Sequence, residues 1–302
     1  MQLRFRVARV GILGLTAVDP VMAVAAATEP EPATVIEAEY AFARAAKPLG
    51  VRGAFLKYLA NDSVICSPAP VNGIVSTAAG EPNADTLEWY PTLSHTAASG
   101  DLGYTTGPWT YRTADGKTEV NGTFLSVWRK QPEGSWRVVV DCGVNHAKPA
   151  VAAAGLAMPS PDTTARGSGK TNPPGAWTTG RWIDPVAQAD TAFAAAATRS
   201  AMTALSEFGA KDVHVLAQSA APAVGVKAGQ AIVQSKVPKL GTTWRHVFAS
   251  ESADGTLGYS WGYVGDPKSA QPSGAYVNVW QRDDAGAPWK IVAQALQVLP
   301  QK

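Results

Sequence analysis

From residue 35 the apolar positions recur at helical spacing. Val35, Ala38, Phe42 and Ala45 form one face, with Glu37 and Arg44 outside it. Pro48 and Gly50 end that helix, and Val51, Ala54, Phe55 and Tyr58 predict a second. Asn61-Asp62 signals a turn, after which Val64-Ile65-Cys66 reads as a short strand closed by Pro68 and Pro70. The polar stretch from Ser76 to Trp89 predicts a third short helix. From Pro91 the pattern becomes four strands, punctuated by turns at Ser99-Gly100-Asp101, Ala114-Asp115-Gly116-Lys117 and Pro132-Glu133-Gly134-Ser135. In the last strand Trp136, Val138, Val140 and Cys142 share one face, and Arg137, Val139, Asp141 and Gly143 share the other. Helices followed by an antiparallel meander predict an α+β fold.

The layout then repeats. Phe42 pairs with Phe193, Asp62 with Asp212, Leu102-Gly103-Tyr104 with Leu257-Gly258-Tyr259, Trp128 with Trp280 and Trp136 with Trp289. The offset drifts only between 150 and 155. That regularity predicts a tandem duplication: one domain over residues 28–146 and a second, degenerate one over 181–302. The intervening 147–180 is an Ala-, Pro- and Gly-rich linker with neither strand nor helix period. Gly167-Ser168-Gly169-Lys170-Thr171 inside it imitates a phosphate-binding loop. Thr164 stands where the loop needs a glycine and no strand precedes it, so none is predicted. Residues 1–27 have the form of an export signal, with Arg4, Arg6 and Arg9 ahead of the apolar run Val10–Val18 and small-residue cleavage sites at Ala23–Ala27. Asp19-Pro20 interrupts that run and leaves it too short to span a membrane. The expected product is an exported protein, of a bacterial periplasm, beginning near Thr28.

The order of elements resembles the nuclear transport factor 2-like cone fold. The closing segments Phe124-Leu125-Ser126-Val127-Trp128-Arg129 and Gly134-Ser135-Trp136-Arg137-Val138-Val139 look like its broad, SnoaL-like bacterial branch. Tyr276-Val277-Asn278-Val279-Trp280-Gln281 with Pro288-Trp289-Lys290-Ile291-Val292 looks like the same segment again. The resemblance covers about 110 residues of each block. It implies two tandem cones, each a curved antiparallel sheet around helices with a pocket open at one end. It also implies pairing of sheets, here an intramolecular pseudo-dimer of the two repeats. Relatives of this fold include steroid isomerases, scytalone dehydratase and polyketide cyclases, together with non-catalytic binding and assembly domains, so the fold does not choose the function.

Composition narrows the classes. In 302 residues, 46% are hydrophobic and 17% charged, which excludes wholesale disorder. The net charge of +2 supplies no basic field for nucleic acid. Two cysteines and four histidines are too few and scattered for a zinc module, so no metal or organic cofactor is expected. Cys66 and Cys142 are either a disulfide, which export would permit, or small buried residues. A Cys142–His146 nucleophilic pair is opposed by strand geometry, which holds them about 13 Å apart unless the chain bends.

Asp141 is the leading candidate for chemistry. On a cone-facing side, burial would raise its pKa into a useful range. His95 and His146 are candidate proton-transfer partners, and Tyr40 and Trp89 candidate pocket residues beside Asp141. The second block lacks these groups: Asp141 maps to Gln294, His95 to Ser250 and His146 to Leu299, whereas Glu39 recurs as Asp190. A working pocket therefore belongs to the first block. Three functions stay open: an exported small-molecule-binding or accessory protein, taking an apolar or aromatic ligand; an isomerase, dehydratase or related lyase working by acid–base chemistry; and a structural interaction module.

Overall fold

The computed structural model describes residues 31–148, 184–269 and 271–300. The proposed signal, the proposed start near Thr28 and most of the proposed linker, including Gly167–Thr171, lie outside these residues.

The first half runs α1 (Val35–Tyr58), β1 (Leu59–Cys66), β2 (Pro70–Asn72), α2 (Gly73–Ala79), β3 (Thr86–Trp89), β4 (Leu93–Thr96), β5 (Leu102–Arg112), β6 (Glu119–Lys130) and β7 (Trp136–Asn145). The second runs α3 (Pro185–Phe208), β8 (Gly209–Ala217), β9 (Ala220–Val224), α4 (Val226–Leu240), β10 (Thr243–Glu251), β11 (Leu257–Gly265), β12 (Gly274–Gln281) and β13 (Lys290–Val298). Strand order is β2-β1-β7-β6-β5-β3, with β4 also on β5, in one sheet and β10-β11-β12-β13-β8-β9 in the other. Both sheets depart from the expected pure antiparallel pattern at one pair, β1 with β7 and β8 with β13, which run parallel.

Thr34 opens α1 with a capping box, its hydroxyl accepting from the Glu37 N–H while the Glu37 carboxylate accepts from the Thr34 N–H. Gly50, at φ 70°, breaks the helix into the two predicted pieces. Phe42 then sits among Phe55, Tyr58, Trp89 and Trp128, with ring centroids 4.8–6.0 Å away. Phe193 repeats this in the second half with Phe208, Trp244, Tyr276 and Trp280, at 5.7–6.1 Å. The expected helix over Ser76–Trp89 is corrected. Only Gly73–Ala79 is helical, and Thr86–Trp89 pairs with β5, because an available strand edge satisfies its backbone better than an isolated short helix would.

The assignment of faces on β7 is also corrected. A bulge between the pairs Val127↔Val140 and Trp128↔Val138 leaves Val139 as an extra residue. Trp136 and Val138 therefore pack inward on α1, whereas Val140, Cys142 and Val144 pack outward. Asp141 and Gly143 then face the inside of the cone. The second half carries the same irregularity between Val279 and Trp280, opposite Val292.

The outward faces of the two sheets meet. Leu125, Val127, Val140, Cys142 and Val144 share one core with Leu216, Leu257, Tyr259, Val277, Val279, Ala293 and Ala295. Burial of this apolar layer is the main force joining the halves. Polar contacts orient it: Ser99 N–H donates to Asp254 Oδ2 at 2.8 Å and Ala253 N–H to Asp101 Oδ2 at 2.9 Å. Gln297 Nε2 reaches the Gly143 carbonyl at 2.8 Å, and Ser219 N–H the Asn145 carbonyl at 2.7 Å.

Candidate functional site

A cavity of about 380 Å³ opens in the first cone. Its walls are mostly aromatic and aliphatic, including Phe55, Trp89, Trp109, Tyr111 and Phe124, with Ser126, Asp141 and Gly143 along one side. The residue types follow from strand alternation. Trp109 and Tyr111 on β5, Phe124 and Ser126 on β6, and Asp141 and Gly143 on β7 are inward positions of three neighbouring strands.

Asp141 is partly exposed to this cavity. Burial, together with the nearby Glu39 carboxylate, pushes its pKa from 3.8 up to about 7. None of the described lining residues is Lys, Arg or His, so no lining cation opposes the shift.

Glu39 lies deeper, fully buried on α1. It accepts from Trp89 Nε1 at 2.6 Å, Thr105 Oγ1 at 2.6 Å and Trp128 Nε1 at 2.8 Å. Burial raises its pKa, while these three bonds oppose that rise. The three donors work against that rise, and charge on Glu39 adds to burial, the larger cause, in raising the Asp141 pKa. The recurrence of Glu39 as Asp190 is the signal the sequence offers for this residue, and that Asp is likewise bonded by Ser260, Tyr276, Asn278 and His246.

Trp109 was not anticipated. Its indole lies across Gly122, where a Cβ would come within 2.4 Å of the ring, and reaches to Gly143. Its Nε1 is buried and has no partner among the described residues. Tyr111 differs in having its hydroxyl committed to Asp85.

Of the expected site residues, Asp141 and Trp89 line the cavity and the others do not. His95, on β4 opposite Tyr104, is tilted 45° to that ring with centroids 6.1 Å apart, and Tyr104 belongs to the core between the sheets. His146, just past β7, has Nδ1 2.9 Å from the Ala147 carbonyl and Nε2 2.9 Å from Thr123 Oγ1. A carbonyl only accepts, so Nδ1 carries a proton, and in the neutral ring Nε2 accepts from Thr123. Both ring nitrogens are thereby occupied. Tyr40 is half-buried on α1, next to Glu39 but away from the lining. Among the expected site residues, Trp89 shares the lining with Asp141, and His95, His146 and Tyr40 stand outside it.

Cys66 and Cys142 form a disulfide, with Cα atoms 4.8 Å apart. It joins β1 to β7 beside Asp141 and removes Cys142 from consideration as a nucleophile. Among the described residues, no group of three or more His, Cys, Asp or Glu is placed to hold a metal ion. No described helix is long and apolar enough to cross a membrane.

Each half packs its helices against one mostly antiparallel sheet. Similar solved structures include an NTF-2 like protein of unknown function from Shewanella oneidensis MR-1, at 14% identity, TM-score 0.29, covering 37% of this chain and 96% of that one. A ketosteroid isomerase-like protein from Erwinia carotovora atroseptica is similar at 19% identity and TM-score 0.30, covering 38% and 95%. An NTF2-like protein of unknown function from Pseudomonas putida KT2440 is similar at 15% identity and TM-score 0.30, covering 35% and 80%. No family model and no curated protein matches the chain.

Proposed function

We propose that the first cone is a site for a small apolar or aromatic molecule and that Asp141 exchanges a proton with it. Isomerisation, dehydration and related lyase reactions are the chemistries that such an exchange serves. The observation carrying this reading is a carboxyl group with a pKa of about 7 in an aromatic-walled cavity. At that pKa the group gives and takes protons with similar ease near neutrality. The second cone serves as a partner that covers the outer face of the first sheet.

Binding without turnover is the second reading. It is favoured by the positions of His95 and His146, which leave Asp141 without a histidine partner in the lining. Export to an oxidising compartment such as a bacterial periplasm belongs to the same proposal and is supported by the Cys66–Cys142 bond.

Neutral cyclic ketones and enones, incubated with the protein in deuterium oxide and followed by NMR, separate the readings. Catalysed exchange of carbon-bound hydrogen that Asp141→Asn lowers about 100-fold or more supports proton transfer. Saturable binding with no exchange in either form supports a carrier. Absence of binding by any neutral apolar compound overturns both.

A further inference from the structure

We propose that Trp109 selects the ligand: its indole N–H takes an acceptor oxygen of a neutral, flat molecule at a notch left by Gly143. The inference rests on the binding reading above and specifies the ligand for the same cavity.

A buried N–H without a partner is uncommon, because leaving a donor unmade costs about 1–3 kcal/mol. Trp109 Nε1 is such a donor, on a residue that lines the cavity. The space in front of it is shaped by a missing side chain. A Cβ built at Gly143 would stand 3.4 Å from Trp109 Nε1 and 3.8 Å from Cε2, with no other contact within 4 Å apart from its own chain neighbours. Gly143 itself is exposed and lines the cavity. The N–H is closed off in the empty cavity, so an oxygen reaches it by a tilt of the indole over Gly143, and no described residue competes for the donor.

Two features limit what the rest of the ligand can be. Among the described residues the lining holds the carboxyl of Asp141 and no Lys, Arg or His, with Glu39 behind it, so a carboxylate or phosphate finds no cation there. A cation would suit the carboxyls and the aromatic walls but offers nothing to the Trp109 donor. Asp141 and Gly143 are two residues apart on one strand, which spaces their Cα atoms about 6.6 Å apart. That is the scale of a six-membered ring measured between two para substituents. The class defined is a neutral aromatic or cyclic compound with a carbonyl or similar acceptor at one end and a polar or exchangeable group at the other. A cavity of about 380 Å³ accommodates one or two such rings.

The test uses the whole protein at pH 6 and four probes of matched shape: 4-hydroxyacetophenone, 4-ethylphenol, 4-hydroxybenzoate and 4-hydroxybenzylamine. Calorimetry gives relative affinities, and the indole N–H resonance of Trp109 reports contact directly. The ketone is expected to bind about fivefold or more tightly than 4-ethylphenol and to shift that resonance. Trp109→Phe keeps the ring, removes the donor, and is expected to erase the preference. Gly143→Ala places a methyl at an ordinary contact distance from the indole, so folding is preserved while the notch is filled, and the preference should again be lost. If both variants discriminate as wild type does, or if the benzylamine binds best, the assignment to Trp109 is overturned while the cavity remains a binding site. If no probe binds wild type, this inference falls together with the reading it rests on.

Discussion

Asp141 and Gln294 occupy the same position in the two cones and have opposite surroundings. Each follows the same strand bulge, and each is paired in register with an inward polar residue, Ser126 and Asn278 respectively. Gln294 is fully buried and donates to Asn278 Oδ1 at 2.9 Å, so its space is filled by a satisfied network. Asp141 faces a cavity with a raised pKa. Duplication has thus left one copy of the site closed by amide packing and the other open with an acid in it.

The acid at this position makes stability depend on pH. Asp141 ionises near 3.8 when unfolded and near 7 when folded, so the folded state holds more protons between those values. Stability conferred by this group is therefore full below about pH 4 and is lost as pH rises towards 7. A full shift would be worth about 4 kcal/mol, and partial solvent access reduces it to about 2–3 kcal/mol. Urea unfolding at pH 4, 6 and 8 should show this decline in wild type and a flatter profile in Asp141→Asn. Parallel profiles would contradict the assigned pKa.

Glu39 is expected to add to that pKa through its charge, beside the larger effect of burial. Glu39→Gln removes the charge and puts an amide where Trp89, Trp128 and Thr105 all donate. A loss of about 2 kcal/mol or more in stability should follow from mismatched donors. The Asp141 titration, read from its carboxyl carbon by NMR, should move below 7 in the same variant. An unmoved midpoint would assign the shift to burial alone.

The Cys66–Cys142 bond closes a loop with a sequence separation of 76. Chain entropy predicts that the double serine variant loses about 4 kcal/mol against the oxidised protein. Because the bond joins β1 and β7 next to Asp141, ligand affinity should fall as well. Equal thermal midpoints with and without reductant would contradict this role.

The apolar layer between the sheets predicts a protein that is monomeric in solution, since each cone already covers the other's outer face. Light scattering should return a mass near 31.5 kDa for the full chain. Val277→Asp, which buries an unpaired charge in that layer, should unfold the protein or separate its halves. A stable dimer of the wild type would mean that the two halves leave another sheet surface uncovered.

Much of the architecture was legible along the chain. The change from helical to alternating period, the turn residues and the repeated Phe42/Phe193 and Trp128/Trp280 pairs are local or short-range properties, and they sufficed for a duplicated α+β fold. That Asp141 can ionise and Gln294 cannot is likewise a property of the sequence alone. Tertiary structure decided which side chains share a space. An extra residue at Val139 exchanges the faces of β7, and strict alternation cannot register such a bulge. Strand neighbours distant in sequence bring Trp109, Gly122 and Gly143 together and bury Glu39 behind Asp141. Pairing between β4 and β5 turns His95 towards the other sheet. Cavities, shared charge and disulfide pairing are relations between separated segments, and they exist only once the strands have found their register.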